Sequence, residues 1–355
     1  MVSKTAATFA IEYRQILDEH GQLVDTLPKF AEDSATLIAM YKHMVLIRIF
    51  DAKAIALQRT GKLGTYPSTL GQEAIGTATA SVMQAQDILC PYYRDNATAV
   101  WRGVKLEEIL LYWGGNEQGS NYINPDVKED FPICVPISSQ TLHAVGIGLA
   151  FKLRQQKRAV VVSVGDGGTS RGDFYEAINF AGVQKLPVIF IINNNQWAIS
   201  VPLELQTATK TLAQKGIAGA VHSEQVDGND VIVTRQAVSE AFERAHSGQG
   251  PSLIEAITYR LCDHTTADDA RRYRDEAEVT AARQKDPITR LKKYLETQKL
   301  WDETQEKNLI QEATAKVDQA VANYLATPTQ DATTMFDYLY KELPRSLEPQ
   351  RQMVK

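Results

Sequence analysis

Two predominantly apolar, mostly β-branched runs stand out along the chain, at 159–164 and 187–192. Runs this short, bounded by turn residues, read as strands buried on both faces of a parallel sheet. The stretch between them is helical, which makes a strand–helix–strand unit. A similar run at 253–258 adds a third buried strand, and shorter ones are expected at 224–227 and 133–137. Apolar spacing near 3.6 predicts helices over 33–59, 72–85, 107–113, 141–153, 207–218 and 231–247, and over 286–325 with a turn near Asp302. The first of these is apolar on more than one side, which implies burial on several sides and suits a subunit contact. Asp33 or Ser34 can cap it, and Gly61 and Gly64 end it.

Residues 1–30 read as irregular and 114–132 as a long loop. Residues 261–274 hold six Asp or Arg and few apolar side chains, so they read as a surface loop. A polar linker at 327–334 precedes an amphipathic end around Met335, Tyr338, Leu339 and Leu343. The expected architecture is α/β: a mostly parallel sheet with helices on both faces, plus helical N- and C-terminal extensions. The expected division is an extension at 1–32, the α/β domain at 33–286 and a helical extension at 287–355.

Composition narrows the function. Of 355 residues, 44% are hydrophobic and 23% charged, as in globular proteins. A net charge of −5 gives no nucleic-acid footprint. No 18-residue apolar stretch exists, so no membrane span is expected. Cys90, Cys134 and Cys262 form neither a CxxC nor a disulfide framework. That suits a reducing compartment, and with no signal-peptide core at the N-terminus the expected location is cytoplasmic.

The chemistry gathers at the ends of the two buried runs. Gly165-Asp166-Gly167 ends the first, and Asn195 follows Asp166 by 29 positions at the end of the second. Carboxyl ends of parallel strands are where open α/β sheets bind ligands. Glycines permit tight turns and close approach of a ligand. One carboxylate from Asp166 and an amide oxygen from Asn195 suit Mg²⁺ that takes its other ligands from phosphate and water. Ser170 to Asp173 is a capping-box-like start for the next helix, whose amides, with Gly168, can face a diphosphate. A nicotinamide site is excluded, because Gly165, Gly167 and Gly168 lack GxGxxG spacing.

Gly165-Asp166-Gly167, a gap near thirty residues and then Asn194-Asn195 resembles the thiamine diphosphate motif. The flanking sequence 165–181, 194–202, Gly71 to Ala74, Tyr93 to Asp95, 226–230 and 250–256 is similar to the alpha subunits of 2-oxoacid dehydrogenases. The likeness covers about 17–287 well. Bacterial two-chain pyruvate enzymes fit best within that family, and branched-chain 2-oxoacid and acetoin enzymes share the motifs.

The resemblance implies thiamine diphosphate and Mg²⁺, with the metal held by Asp166, Asn195 and the backbone carbonyl of Trp197. It places Tyr93, Arg94 and Arg260 on the diphosphate. On their residue types alone, Arg94 is open to a surface ion pair with Asp95 and Arg260 to a solvated strand end. Ile137 would prop the cofactor beneath its thiazolium, although by sequence alone it reads as a core side chain. His264 would act beside the cofactor, and His143 is a second candidate for the site. Thr265 stands where some relatives carry a phosphorylated Ser, and here it reads as a polar loop residue. The implied reaction decarboxylates a small 2-oxo acid and passes the acyl group to a lipoyl group of a separate acyltransferase. The Glu that activates the aminopyrimidine would come from a beta subunit in an α₂β₂ heterotetramer. A scaffold subunit without chemistry is the non-enzyme alternative.

Overall fold

The computed structural model describes residues 2–337 and 339–354. Among the described residues there are eight strands: β1 (Tyr13–Arg14), β2 (Ile88–Cys90), β3 (Val160–Gly165), β4 (Val188–Asn194), β5 (Trp197–Ala198), β6 (Val201–Pro202), β7 (His222–Asp227) and β8 (Ser252–Ile257). Six form one parallel sheet in the order β1-β7-β8-β4-β3-β2, and β5 and β6 form a small antiparallel hairpin.

Alternation along the strands sorts the core into two layers. Val161, Ile189, Ile191 and Ile254 face a cluster built with helices Ser34–Arg59, Glu73–Ala80, Val231–His246 and Pro287–Thr297. Val160, Val162, Val164, Val188, Phe190 and Ile192 face the opposite way, onto Ser139–Leu153 and Gly172–Gln184. Every residue of β4 is buried, as a sheet covered on both sides requires. The architecture is the expected α/β one.

Helix Ser34–Arg59 begins where expected, with the Asp33 carboxylate accepting from the Ala35 amide, and Gly61 follows its end at φ +70°. Its several apolar sides are satisfied inside the chain. One part joins the sheet-covering cluster. The other joins a third cluster with Leu106–Trp113 and Glu303–Ala326. A subunit contact is therefore not needed to explain its pattern.

Several expectations are corrected. Residues 133–137 form no strand, and only an isolated bridge joins Tyr92 to Cys134. Pro132 and Pro136 lack the amides a ladder needs. Of the helix expected at 207–218 only Gln214–Ala218 forms, and a separate short helix, Leu203–Gln206, precedes the span. Thr207, Thr209 and Thr211 between them are β-branched and poor helix formers. The helix at 72–85 shrinks to Glu73–Ala80, and Ser81 at its end donates to the Ala78 carbonyl. Helices Asn96–Arg102 and Glu276–Arg283 were not anticipated. Tyr338, counted in the amphipathic end, lies outside the described residues; Met335 and Leu339 stay exposed.

The N-terminal stretch is not merely irregular, because β1 pairs with β7 and adds an edge to the sheet. Asp230 secures it. This fully buried carboxylate accepts from the Ile16 and Leu17 amides at 2.8 and 2.7 Å while capping Val231–His246 through Ile232 and Val233. Four buried amides lose their acceptor in Asp230→Ala. We expect a loss of about 3 kcal/mol or more in denaturant unfolding; a loss under about 1 kcal/mol contradicts this account.

Candidate active site

Four neighbouring strands deliver the site from their carboxyl ends. Tyr93 and Arg94 follow β2, Asp166 follows β3, Asn195 follows β4 and Arg260 follows β8, and these four strands are adjacent in the sheet. The register opposes Gly165 to Asn193, so Asp166 and Asn195 emerge side by side. Tyr93, Arg94, Ile137, Gly165, Asp166, Gly167, Gly168, Asn195, Trp197 and His264 all line one cleft. Tyr92, Cys134, Ser138, Gln140, Val164, Ala198 and Ile199 complete its wall.

After Gly165 the chain turns through a short 3-10 segment, Asp166–Ser170, before helix Gly172–Gln184 begins. The expected Ser170–Asp173 capping box is absent: Arg171 is the N-cap, and no side chain caps the end. The interposed turn shifts the helix start, so Gly168 lines the cleft and the first helical residues do not. The glycines have a steric reason. A Cβ on Gly167 would lie 2.5 Å from the Ala198 Cβ, and one on Gly168 would lie 2.4 Å from a Val164 methyl.

Asp166 is buried, and its Oδ2 accepts from Gln206 Nε2 at 3.0 Å. Burial raises its carboxyl above the usual range. The Asn195 amide is held at both ends: Nδ2 donates to Gln72 Oε1 at 3.2 Å, and Oδ1 accepts from the Trp197 amide at 3.3 Å. The Trp197 carbonyl receives Arg260 Nη1 at 3.4 Å and retains a lone pair.

Arg94 makes no surface ion pair with Asp95. It is 3% exposed, donating through Nη1 to the Ser68 carbonyl and through Nη2 to the His264 carbonyl at 2.9 Å. Its buried Nε has no partner. Arg260 is likewise no solvated end: fully buried, it donates to the Ile199 carbonyl at 2.8 Å and to the Tyr273 hydroxyl at 2.8 Å. It stands behind the cleft wall rather than in it. Ile137 is no core side chain, being 45% exposed and facing the cleft.

His264 lies at the cleft with its ring edge-on to Tyr93, 5.9 Å between centroids. Arg260 Nη1 approaches its Nδ1 at 3.4 Å, which makes Nδ1 the acceptor and Nε2 the protonated nitrogen. Burial first, then the Arg94 and Arg260 charges, lowers its pKa from 6.5 to about 3. The 261–274 segment is no free surface loop. Leu261 and Ala270 are buried, Asp268 accepts from the His264 amide at 2.8 Å, and Thr266 bonds to Tyr66. Thr265 accepts from the Ala267 amide through its hydroxyl. His143 is placed elsewhere: exposed on its helix, it stacks near Phe131 and does not line the cleft.

Gln72 and Gln206 were missed as neighbours of Asn195 and Asp166. Gln72 sits within the quoted Gly71–Ala74 stretch, whereas Gln206, on an irregular segment, left no periodic signal.

The donors fit an anionic, metal-bound group. An unpartnered buried guanidinium nitrogen, glycines at the wall and one carboxylate beside an amide and a carbonyl oxygen suit a diphosphate with Mg²⁺. Among the described residues no three His, Cys, Asp or Glu gather into a metal-holding group. Among the same residues no helix is long and apolar enough to cross a membrane.

Comparison with known proteins agrees with this geometry. Residues 41–333 match the Dehydrogenase E1 component family. The chain is 39% identical to "Pyruvate dehydrogenase E1 component subunit alpha" of Staphylococcus aureus (strain Mu50 / ATCC 700699), over 97% of this chain and 93% of the relative. It is 38% identical to the protein of the same name from Staphylococcus epidermidis (strain ATCC 12228 / FDA PCI 1200), over 100% of this chain and 95% of the relative. With this match along almost its whole length, the chain belongs to the dehydrogenase E1 component family, the thiamine-diphosphate-dependent 2-oxoacid dehydrogenases.

Proposed function

We propose that this chain is the alpha subunit of pyruvate dehydrogenase, the component that decarboxylates pyruvate oxidatively and transfers the acetyl group to a lipoyl group of the acyltransferase. The observation that carries this reading is the near-full-length identity to alpha subunits of that name, joined to a cleft that gathers a carboxylate, an amide oxygen, glycines, an arginine and a histidine suited to the diphosphate end of the cofactor.

In this reading Asp166, Asn195 and the Trp197 carbonyl hold Mg²⁺. Arg94, with Tyr93 and the Gly165, Gly167 and Gly168 backbone, receives the diphosphate, and Arg260 adds positive potential from behind the wall. Ile137, facing the cleft, would offer the cofactor's thiazolium an apolar contact. When bound, thiamine diphosphate supplies the electron sink for loss of carbon dioxide. His264, neutral and carrying its proton on Nε2, would donate a hydrogen bond at the reacting end. Tyr93 packs its ring, and the arginines fix its main chain and Nδ1.

No residue of the cleft supplies the Glu that would activate the aminopyrimidine. We assign that group to a beta subunit in an α₂β₂ assembly, working in the cytoplasm. Leu142, Leu153, Tyr175, Phe180 and Val183, exposed on two adjacent helices, support a covered face there.

The test is dye-coupled, thiamine-diphosphate- and Mg²⁺-dependent turnover of pyruvate, 2-oxobutyrate, 3-methyl-2-oxobutanoate, 4-methyl-2-oxopentanoate and acetoin. It is run on this chain alone and copurified with its beta companion. We expect activity on pyruvate only in the mixture. Preference for branched acids or acetoin reassigns the substrate, and no turnover in a verified complex leaves a scaffold subunit.

A further inference from the structure

Arg94 and His264 hang from a buried carboxylate that the reading above does not use. Asp51 lies on helix Ser34–Arg59 and is 2% exposed. Its Oδ1 accepts from the Tyr66 hydroxyl at 2.9 Å, the Thr69 amide at 3.0 Å and the Thr69 hydroxyl at 3.2 Å. Its Oδ2 accepts from the Ser68 hydroxyl. All four donors are neutral and come from one strap, residues 66–69. A carboxylate is tolerated in such surroundings only when its donors are fully organised. Conversely, the carboxylate holds the strap in one conformation.

The strap in turn holds Arg94 and the segment that carries His264. The Ser68 carbonyl accepts from Arg94, whose other terminal nitrogen holds the His264 carbonyl. Tyr66 bonds to Thr266 twice, amide to hydroxyl oxygen at 3.0 Å and carbonyl from amide at 2.9 Å. The Tyr66 hydroxyl also accepts from Asn96 at 2.8 Å, close after Arg94 in sequence.

We infer that Asp51 is a positioning residue: by pinning the strap 66–69, it fixes Arg94 and the His264 loop in the orientation they present to the cleft. Its consequence for turnover rests on the cofactor reading above; its consequence for the loop does not.

The test uses the full chain copurified with its beta companion. Asp51→Asn is nearly isosteric but replaces one acceptor oxygen with a donor, and Ser68→Ala removes the hydroxyl that ties Asp51 and accepts from the Leu70 amide while sparing the carbonyl that holds Arg94. Met44→Ala, a core change in the same helix, is the stability control. Two readouts are followed beside melting temperature. One is the rate of cleavage by an arginine-specific protease at the exposed Arg271 and Arg272. The other is the thiamine diphosphate concentration giving half-maximal turnover.

For Asp51→Asn and Ser68→Ala we expect both quantities to rise about tenfold, the usual cost of breaking a buried polar tie. Met44→Ala should lower the melting temperature and move neither. If both strap variants merely melt earlier, with wild-type cleavage and cofactor requirement, the inference is overturned. Should Asp51→Asn not fold, Ser68→Ala and Tyr66→Phe decide by the same readouts. Arg94→Ala and Asp166→Ala separate the two claims. If they leave the cofactor requirement unchanged, the site reading has failed and cleavage alone judges Asp51. If they raise it while cleavage in the strap variants stays normal, the Asp51 inference has failed and the site reading stands.

Discussion

Asp166→Ala is expected to lower thiamine-diphosphate-dependent turnover by about a thousandfold or more, the scale of several kcal/mol of lost metal and charge stabilisation. Asp166 is the single carboxylate among the residues lining the cleft. Without it a bound diphosphate–Mg²⁺ group keeps only neutral oxygens from this chain, and Gln206 Nε2 loses the acceptor it holds at 3.0 Å. Asp166→Asn separates charge from shape, because it keeps the volume and one oxygen. We expect it to fold as wild type and to need far more Mg²⁺ for cofactor binding, measured by calorimetry at several Mg²⁺ concentrations. Wild-type Mg²⁺ dependence in Asp166→Asn would remove this residue from the metal site.

His264→Ala is expected to lower kcat by about a hundredfold to a thousandfold with cofactor affinity nearly kept, the range for a positioned hydrogen-bond donor at the reacting end. The ring contributes Nε2–H at the cleft, while the Arg94 tie uses the main-chain carbonyl, which the substitution spares. A large loss of cofactor affinity without loss of kcat would make His264 a binding residue only.

Its lowered pKa gives a second observable. The folded ring stays neutral down to about pH 3, whereas the unfolded one takes up a proton near 6.5. The unfolded state therefore binds more protons throughout that window, and stability falls as pH drops from 6.5 toward 3. His264→Asn should lose this part of the acid sensitivity. Melting curves of the ligand-free chain between pH 7 and pH 4 check it: parallel curves for wild type and variant would refute the buried, neutral imidazole.

The carboxyl-end placement of Asp166 and Asn195 was legible because two predominantly apolar runs ended at turn residues. Burial on both faces forces such a composition, and parallel connection forces the ends to one side. Helix Ser34–Arg59 was legible to its capping residue for the same local reason. Residues 133–137 misled because apolar content was read without weighing two prolines that cannot join a ladder. Segment 207–218 misled because apolar spacing outweighed three threonines. β1 is two residues long, and its pairing with β7 lies more than two hundred positions away, so no window along the chain contains it.

By itself, the sequence determined the strand–turn positions of the glycines, Asp166 and Asn195, and with them the family, because these depend on local backbone needs and residue chemistry. Tertiary structure alone decided which side chains face the cleft. It turned Ile137 toward the opening, left His143 outside, set Arg260 behind the wall and brought Asp51, Gln72 and Gln206 to support groups far away in sequence. Those placements follow from how layers pack and where buried polar atoms find partners. Such partners are chosen in three dimensions, and their spacing along the chain carries no period by which they can be read.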